Sequence, residues 1–79
     1  MQVEVRIFAT LKHYHPELPV GGALHLDVEP ETTLAQLRDQ LGLPEEETKL
    51  VMVNNRQAEF PDKISDGDRI AFIPAVAGG

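Results

Sequence analysis

Thr33-Leu34-Ala35-Gln36-Leu37-Arg38-Asp39-Gln40-Leu41-Gly42-Leu43-Pro44 is the stretch from which the fold of this chain can be read. Thr33 and Gln36 stand in the capping-box spacing, so the hydroxyl of one and the amide of the other satisfy backbone N–H groups that the first helical turn leaves unpaired. A helix therefore starts here. Leu34, Leu37 and Leu41 recur at i, i+3 and i+7 and form one apolar stripe, while Arg38, Asp39 and Gln40 are expected to face water. Gly42 suits a left-handed C-terminal cap, and Pro44 prevents continuation. A short helix with one apolar stripe needs a sheet face to bury it.

The flanking sequence supplies that face. Upstream, Val3, Val5 and Ile7 alternate with Gln2, Glu4 and Arg6, and Leu24, Leu26 and Val28 alternate with His25, Asp27 and Glu29. Both are the period of a strand with one buried side. Phe8 extends the first strand out of phase. Between the two lies a turn-rich stretch with Pro16, Pro19 and Gly21-Gly22. Downstream, Glu45-Glu46-Glu47 is an acidic connector, and Leu50-Val51-Met52-Val53 reads as a third strand too uniformly apolar for its faces to be assigned. Asn54-Asn55 suits a tight turn because Asn tolerates positive φ. Arg56 to Glu59 is a short return strand, Ser65-Asp66-Gly67 a turn, and Asp68 to Ile73 the last strand, with Ile70 and Phe72 on one face and Ala71 and Ile73 on the other. The order is that of an α+β domain in which one helix covers a small sheet. Periodicity leaves open which strands are neighbours.

Composition narrows the function. Seventy-nine residues make one domain without repeats or a linker. No apolar run approaches the roughly 20 residues of a transmembrane helix, and Met1-Gln2-Val3-Glu4 lacks the pattern of a secretory signal, so the expected compartment is the cytoplasm and no membrane is involved. Zero cysteines exclude disulfides, thiolate metal sites and cysteine nucleophiles. The net charge of −6 opposes the counterion release that drives binding to a phosphate backbone, which argues against nucleic acid and for a basic protein surface.

After Ile73 the periodicity stops. Residues 1–73 are expected to form the domain, and residues 74–79, Pro74-Ala75-Val76-Ala77-Gly78-Gly79, an extended tail. Six extended residues span about 20 Å, enough to enter a deep pocket of another protein. Gly78 and Gly79 lack a Cβ and fit a channel too narrow for side chains. The Gly79 carboxylate is ionised at neutral pH and a poor electrophile until it is given a good leaving group, as adenylation with ATP would do. The chain has no glycine-rich loop followed by Lys-Ser or Lys-Thr, so another enzyme must perform that activation.

The segment Asp66-Gly67-Asp68-Arg69-Ile70-Ala71-Phe72-Ile73-Pro74-Ala75-Val76-Ala77-Gly78-Gly79 resembles the C-terminal signature of the MoaD/ThiS family, above all the small subunit of molybdopterin synthase. Val53-Asn54-Asn55 stands at that family's usual hairpin. The resemblance implies a ubiquitin-like β-grasp fold, a mixed sheet of four to five strands wrapped around one main helix. It implies that a ubiquitin-activating-type enzyme uses ATP to adenylate Gly79, that a sulfurtransferase donor supplies sulfur, and that a terminal thiocarboxylate results. It further implies that the sulfur goes to a pterin dithiolene within the large synthase subunit or, in the thiazole branch, to a thiazole synthase. Gly79 is then the sulfur-bearing position, Gly78 the slender residue behind it, and Val76 and Ala77 the rest of the tail. Phe72 and Pro74 would be docking and tail-aiming positions. Where the molybdopterin branch commonly has a second proline, this chain has Ala75, and its tail is expected to be less stiff.

Plainer readings stand beside these. A terminal Gly-Gly is often a frayed end. Phe72 on an apolar strand can be core as well as docking surface, and Arg69 can make an ordinary surface ion pair as well as meet a partner's acid. His13, Tyr14, His15 and His25 lack a spaced set of ligands and are read as solvated, with no metal expected. Glu45 to Glu47 is read first as a solvated run. No nucleophile–base pair or carboxylate dyad marks a stand-alone active site. A lysine-conjugated protein modifier and a β-grasp binding module with an inert tail remain as alternatives to a sulfur carrier.

Overall fold

The computed structural model describes residues 1–18 and 22–74. Its strands are β1 (Gln2–Ile7), β2 (Leu24–Asp27), β3 (Thr48–Val53), β4 (Arg56–Ala58) and β5 (Arg69–Pro74), with one α-helix, α1 (Leu34–Gln40), and a 3-10 helix at Ala9–Tyr14. The five strands form one sheet in the order β2-β1-β5-β3-β4, antiparallel except for the parallel central pair β1 and β5. This mixed sheet with one covering helix is the expected β-grasp. Local pattern cannot reveal a parallel pair joined across almost the whole chain, because its partners share no turn.

α1 begins and ends as its residues dictate. Gln36 N–H donates to Thr33 Oγ1 at 3.2 Å, and Thr33 N–H donates to Gln36 Oε1 at 2.9 Å. The next two N–H groups find partners outside the helix, Leu34 on the Asp62 carbonyl and Ala35 on the Phe60 carbonyl, each at 2.9 Å. The start of the helix is thus stitched to the segment before β5. At the other end Gly42 has φ +73°, and Gly42 and Leu43 N–H reach back to the Asp39 and Arg38 carbonyls, the paired bonds of a Schellman cap.

Val3, Val5, Ile7, Val51, Ile70 and Phe72 from the sheet bury against Leu34 and Leu37 of α1. Leu41 packs at the margin of that core. Arg38, expected to face water, is instead 7% exposed. Its stem lies along the protein, its guanidinium sits 5.1 Å from the centre of the Phe60 ring, and its charge meets Asp39 at 3.1 Å.

The stretch between β1 and β2 carries more structure than its prolines and glycines suggest. The 3-10 helix drives Leu11 fully into the core. Tyr14 donates its hydroxyl to Glu47 Oε2 at 2.7 Å, and this bond to a carboxylate holds the phenol pKa above the ordinary tyrosine value. His15 Nε2 lies 2.8 Å from the Leu41 carbonyl, so His15 is a tether rather than a solvated loop histidine. Pro19, Val20 and Gly21 lie outside the described residues.

Several strand limits differ from the reading of the sequence: β4 stops at Ala58 rather than Glu59, β5 starts at Arg69 rather than Asp68, and two further differences bear on the site. β3 starts at Thr48, two residues before the apolar run, and β5 runs on through Pro74, which is buried and paired with Thr48. Pro74 therefore belongs to the sheet, not to the tail. The Phe72 carbonyl faces β1 and accepts from Phe8 N–H at 3.2 Å, so alternation turns the missing N–H of Pro74 toward that same side, beyond the last β1 pair, Ile7 with Phe72. A proline there costs no ladder bond. Asn54 and Asn55, at φ 53° and 69°, make the expected turn between β3 and β4.

Candidate functional site

β5 lies at the centre of the sheet, and its two sides face different worlds. Ile70, Phe72 and Pro74 point under the helix and are buried, whereas Arg69, Ala71 and Ile73 lie on the opposite face, which no helix of the described residues covers. Strand pairing decides their neighbours there. Ala71 sits between Arg6 of β1 and Met52 of β3, Ile73 beside Leu50, and Arg69 beside Glu4. Phe8, where the chain turns away from β1, keeps 44% of its surface exposed and joins the same face.

The outcome is a shallow depression of about 270 Å³ walled by Phe8, Met52 and Ala71 and rimmed by Glu4, Arg6 and Arg69. Arg6 Nε lies 3.4 Å from Glu4 Oε2, so part of the rim charge is matched within the face. Leu50 and Ile73, both half-buried, continue the apolar surface toward the end of β5. An exposed apolar patch with a charged rim is the makeup of a protein-docking surface.

Among the residues singled out from sequence, Arg69 is exposed on the rim, consistent with a contact position. Phe72 is not a docking residue. It is 0% exposed and is the largest side chain fully buried in the core, because the strand's alternation aims it at α1. Pro74 closes β5. Val76, Ala77, Gly78 and Gly79 lie outside the described residues. Among the described residues no three His, Asp or Glu side chains are grouped to hold a metal, and His25 on edge strand β2 is apart from the His13–His15 segment. The residues the sequence reading passed over are Phe8, Leu50, Met52, Ala71 and Ile73. Their signal was present in the phase of two strands: Phe8 falls out of step with Val3, Val5 and Ile7, and Ile73 opposes Phe72.

A model of the ThiS family matches residues 5–79, nearly the whole chain and through Gly79. The chain belongs to the ThiS family. This ThiS-family protein is similar in structure to the HVO 2177 protein of Haloferax volcanii, with a TM-score of 0.74 and 27% identity over 100% of this chain and 87% of that one. It is similar also to a chain in the protein–protein complex of subunits 1 and 2 of molybdopterin-converting factor from Helicobacter pylori, with a TM-score of 0.60 and 26% identity over 100% of both chains. A ubiquitin of Caldiarchaeum subterraneum shares the fold at a TM-score of 0.65 and 20% identity, over 100% of this chain and 98% of that one. No curated protein matches the sequence. ThiS-type chains are ubiquitin-like sulfur carriers, and the mixed five-stranded sheet found here is theirs.

Proposed function

We propose that this ThiS-family protein carries sulfur on the carboxyl group of Gly79 for the dithiolene of a molybdenum or tungsten cofactor. The observation that carries the reading is the place of β5: the strand that leads into residues 75–79 is the central one, and it borders the exposed apolar face. A partner that docks on Phe8, Met52, Ala71 and Ile73 thereby receives the chain end that follows Pro74. The likeness to a subunit of the Helicobacter pylori molybdopterin-converting factor complex, at 26% identity, supports the cofactor branch over the thiazole branch and a large synthase subunit over a thiazole synthase.

The steps follow from the chemistry of a carboxylate. A Gly79 carboxylate oxygen attacks the α-phosphorus of ATP within an adenylating enzyme, and pyrophosphate leaves. The persulfide of a sulfurtransferase then attacks the acyl carbon and expels AMP, and a partner's thiolate attacks the sulfurtransferase sulfur of the resulting acyl disulfide, forming a disulfide and releasing Gly79 with sulfur in place of one oxygen. This chain contributes the carboxylate, the docking face and the reach. It binds no cofactor itself, ATP being consumed by its partner, and it works in the cytoplasm. Mass spectrometry of the intact chain after expression with an adenylating enzyme and a sulfur donor is the test. The expected result is one oxygen-to-sulfur exchange that disappears when Gly79 is removed. An unchanged mass, or isopeptide adducts on lysines of other proteins in its place, would sink the reading.

A further inference from the structure

The charge on the open face runs against the charge of the chain. The whole chain carries −6, with 13 acidic residues against 7 lysines and arginines. The depression on the open face is lined by Arg6 and Arg69 and by a single carboxylate, Glu4. Asp27, at the β2 corner of that face opposite Gln2, is matched by the Met1 ammonium at 3.1 Å. The exposed apolar centre thus sits in a locally positive surface of an acidic protein.

Strand pairing sets the arrangement. Arg6 lies opposite Ala71 and Arg69 opposite Glu4, so both arginines border the small side chain of Ala71 at the floor of the depression. Glu4 Oε2 is engaged by Arg6 Nε at 3.4 Å. Arg69 is exposed and makes no ion pair among the described residues. A partner seated on Phe8, Met52 and Ala71 also strips water from the guanidiniums beside them. A guanidinium that loses water without gaining an acceptor is costly, and Glu4 cannot match two of them. The second acceptor has to come from the partner, and a carboxylate fits best, because the planar guanidinium takes it in two parallel bonds.

We infer that the open face receives an acidic surface: the adenylating partner presents an apolar side chain over Ala71 and at least one Asp or Glu to Arg69 and Arg6. The inference rests on the sulfur-carrier reading and adds the chemistry of the partner's contact surface. It reverses what net charge alone implies, since a chain at −6 is expected to seek a basic surface. The remaining acidic surface then helps orientation, because the partner's carboxylates repel the carrier in poses that do not lead with Arg6 and Arg69.

The test is ATP–pyrophosphate exchange by an adenylating enzyme that acts on the wild-type chain, with the carrier as varied substrate. Arg69→Glu is expected to raise KM about 10-fold or more and to leave kcat within about twofold, and Arg6→Glu to raise KM about threefold or more. Arg69→Lys, which keeps the charge, is expected to stay within about threefold of wild type. Added NaCl should narrow the gap between Arg69→Glu and wild type, because salt screens the repulsion. Glu46 lines a separate hollow with Arg38 and Phe60, and Glu46→Lys, which shifts net charge as much in the other direction, should leave KM within about twofold. A KM for Arg69→Glu at or below that of wild type overturns the inference, as does an equal rise in KM from Glu46→Lys or a loss of kcat at unchanged KM. Should Arg69→Glu not fold, as judged by circular dichroism, Arg6→Glu decides by the same criteria. If the wild-type chain is adenylated and the arginine variants match it, only the acidic partner surface fails; if no adenylation of Gly79 occurs, the carrier reading fails and takes this one with it.

Discussion

Phe72 and Ile73 are consecutive residues of one strand, both large and apolar, yet they lie on opposite faces of the sheet. Phe72 lies beneath α1 with no exposed surface, and Ile73 lies half-buried on the face away from α1. The difference is one step of strand alternation. It teaches that hydrophobicity in the last strand does not by itself tell core from contact surface. The neighbouring strands decide, since Ile73 is flanked by Leu50 and Phe72 by Ile7 and Val51. The sequence left the aromatic ring open between core and docking surface; it is core, and the partly exposed apolar residue is the next one along.

Substitutions on either side of β5 put this contrast to the test. Phe72→Ala is expected to cost about 3–5 kcal/mol, a large part of what a domain this small has to spare, and to appear as a collapse of the urea midpoint. Ile73→Asp reverses the pattern. Its stability in urea is expected to change by at most about 1 kcal/mol, while affinity for the docking partner, read by calorimetry, falls at least 10-fold. An Ile73→Asp chain as unstable as Phe72→Ala would break the division of the two faces.

The other side of the helix sharpens it further. Arg38→Ala removes a cation held over Phe60 and the stem that covers it, at an expected cost of about 1–2 kcal/mol in urea denaturation, with adenylation kinetics unchanged in the folded chain. Lost adenylation at full stability would move the docking surface from the sheet to the helix. The smallest effect belongs to Tyr14, the chain's one tyrosine and so its own ultraviolet probe. Glu47→Ala removes the acceptor that raises its pKa, and the phenol's titration midpoint is expected to fall. Because the folded value is raised, the bond supports folding below the unfolded tyrosine pKa and ceases to as pH climbs through the folded one. The stability gap between wild type and Glu47→Ala should close in strong alkali.

Much of the fold was legible. The capping box at Thr33 and Gln36, the turn at Asn54-Asn55 and the alternation in β1, β2 and β5 are local features that local rules decode. The rest was hidden for definable reasons. β3 resisted a face assignment because residues 50–53 are all apolar, and Thr48 and Val51 both face the core although three apart because the register shifts between Thr48 and Leu50. Leu11 leaves no periodic trace, being the buried residue of a single 3-10 segment. Arg38 went under cover because Phe60, distant in sequence, offered its ring. Of the candidate site, the apolar face was not legible, because it is assembled from β1, β3 and β5 and exists only once they pair, while the Gly-Gly end that the sequence singled out lies outside the described residues.

The parallel pairing of β1 with β5 has one more consequence, in the order of events during synthesis. The strand that completes the centre of the sheet is the last to be made, and its partner among the first, so native contacts of very long sequence separation must wait for the chain to be complete through Pro74. A chain stopped before β5 lacks Ile70 and Phe72 and cannot close its core. Any chain folded well enough to present its open sheet face has therefore already made the strand that leads into residues 75–79.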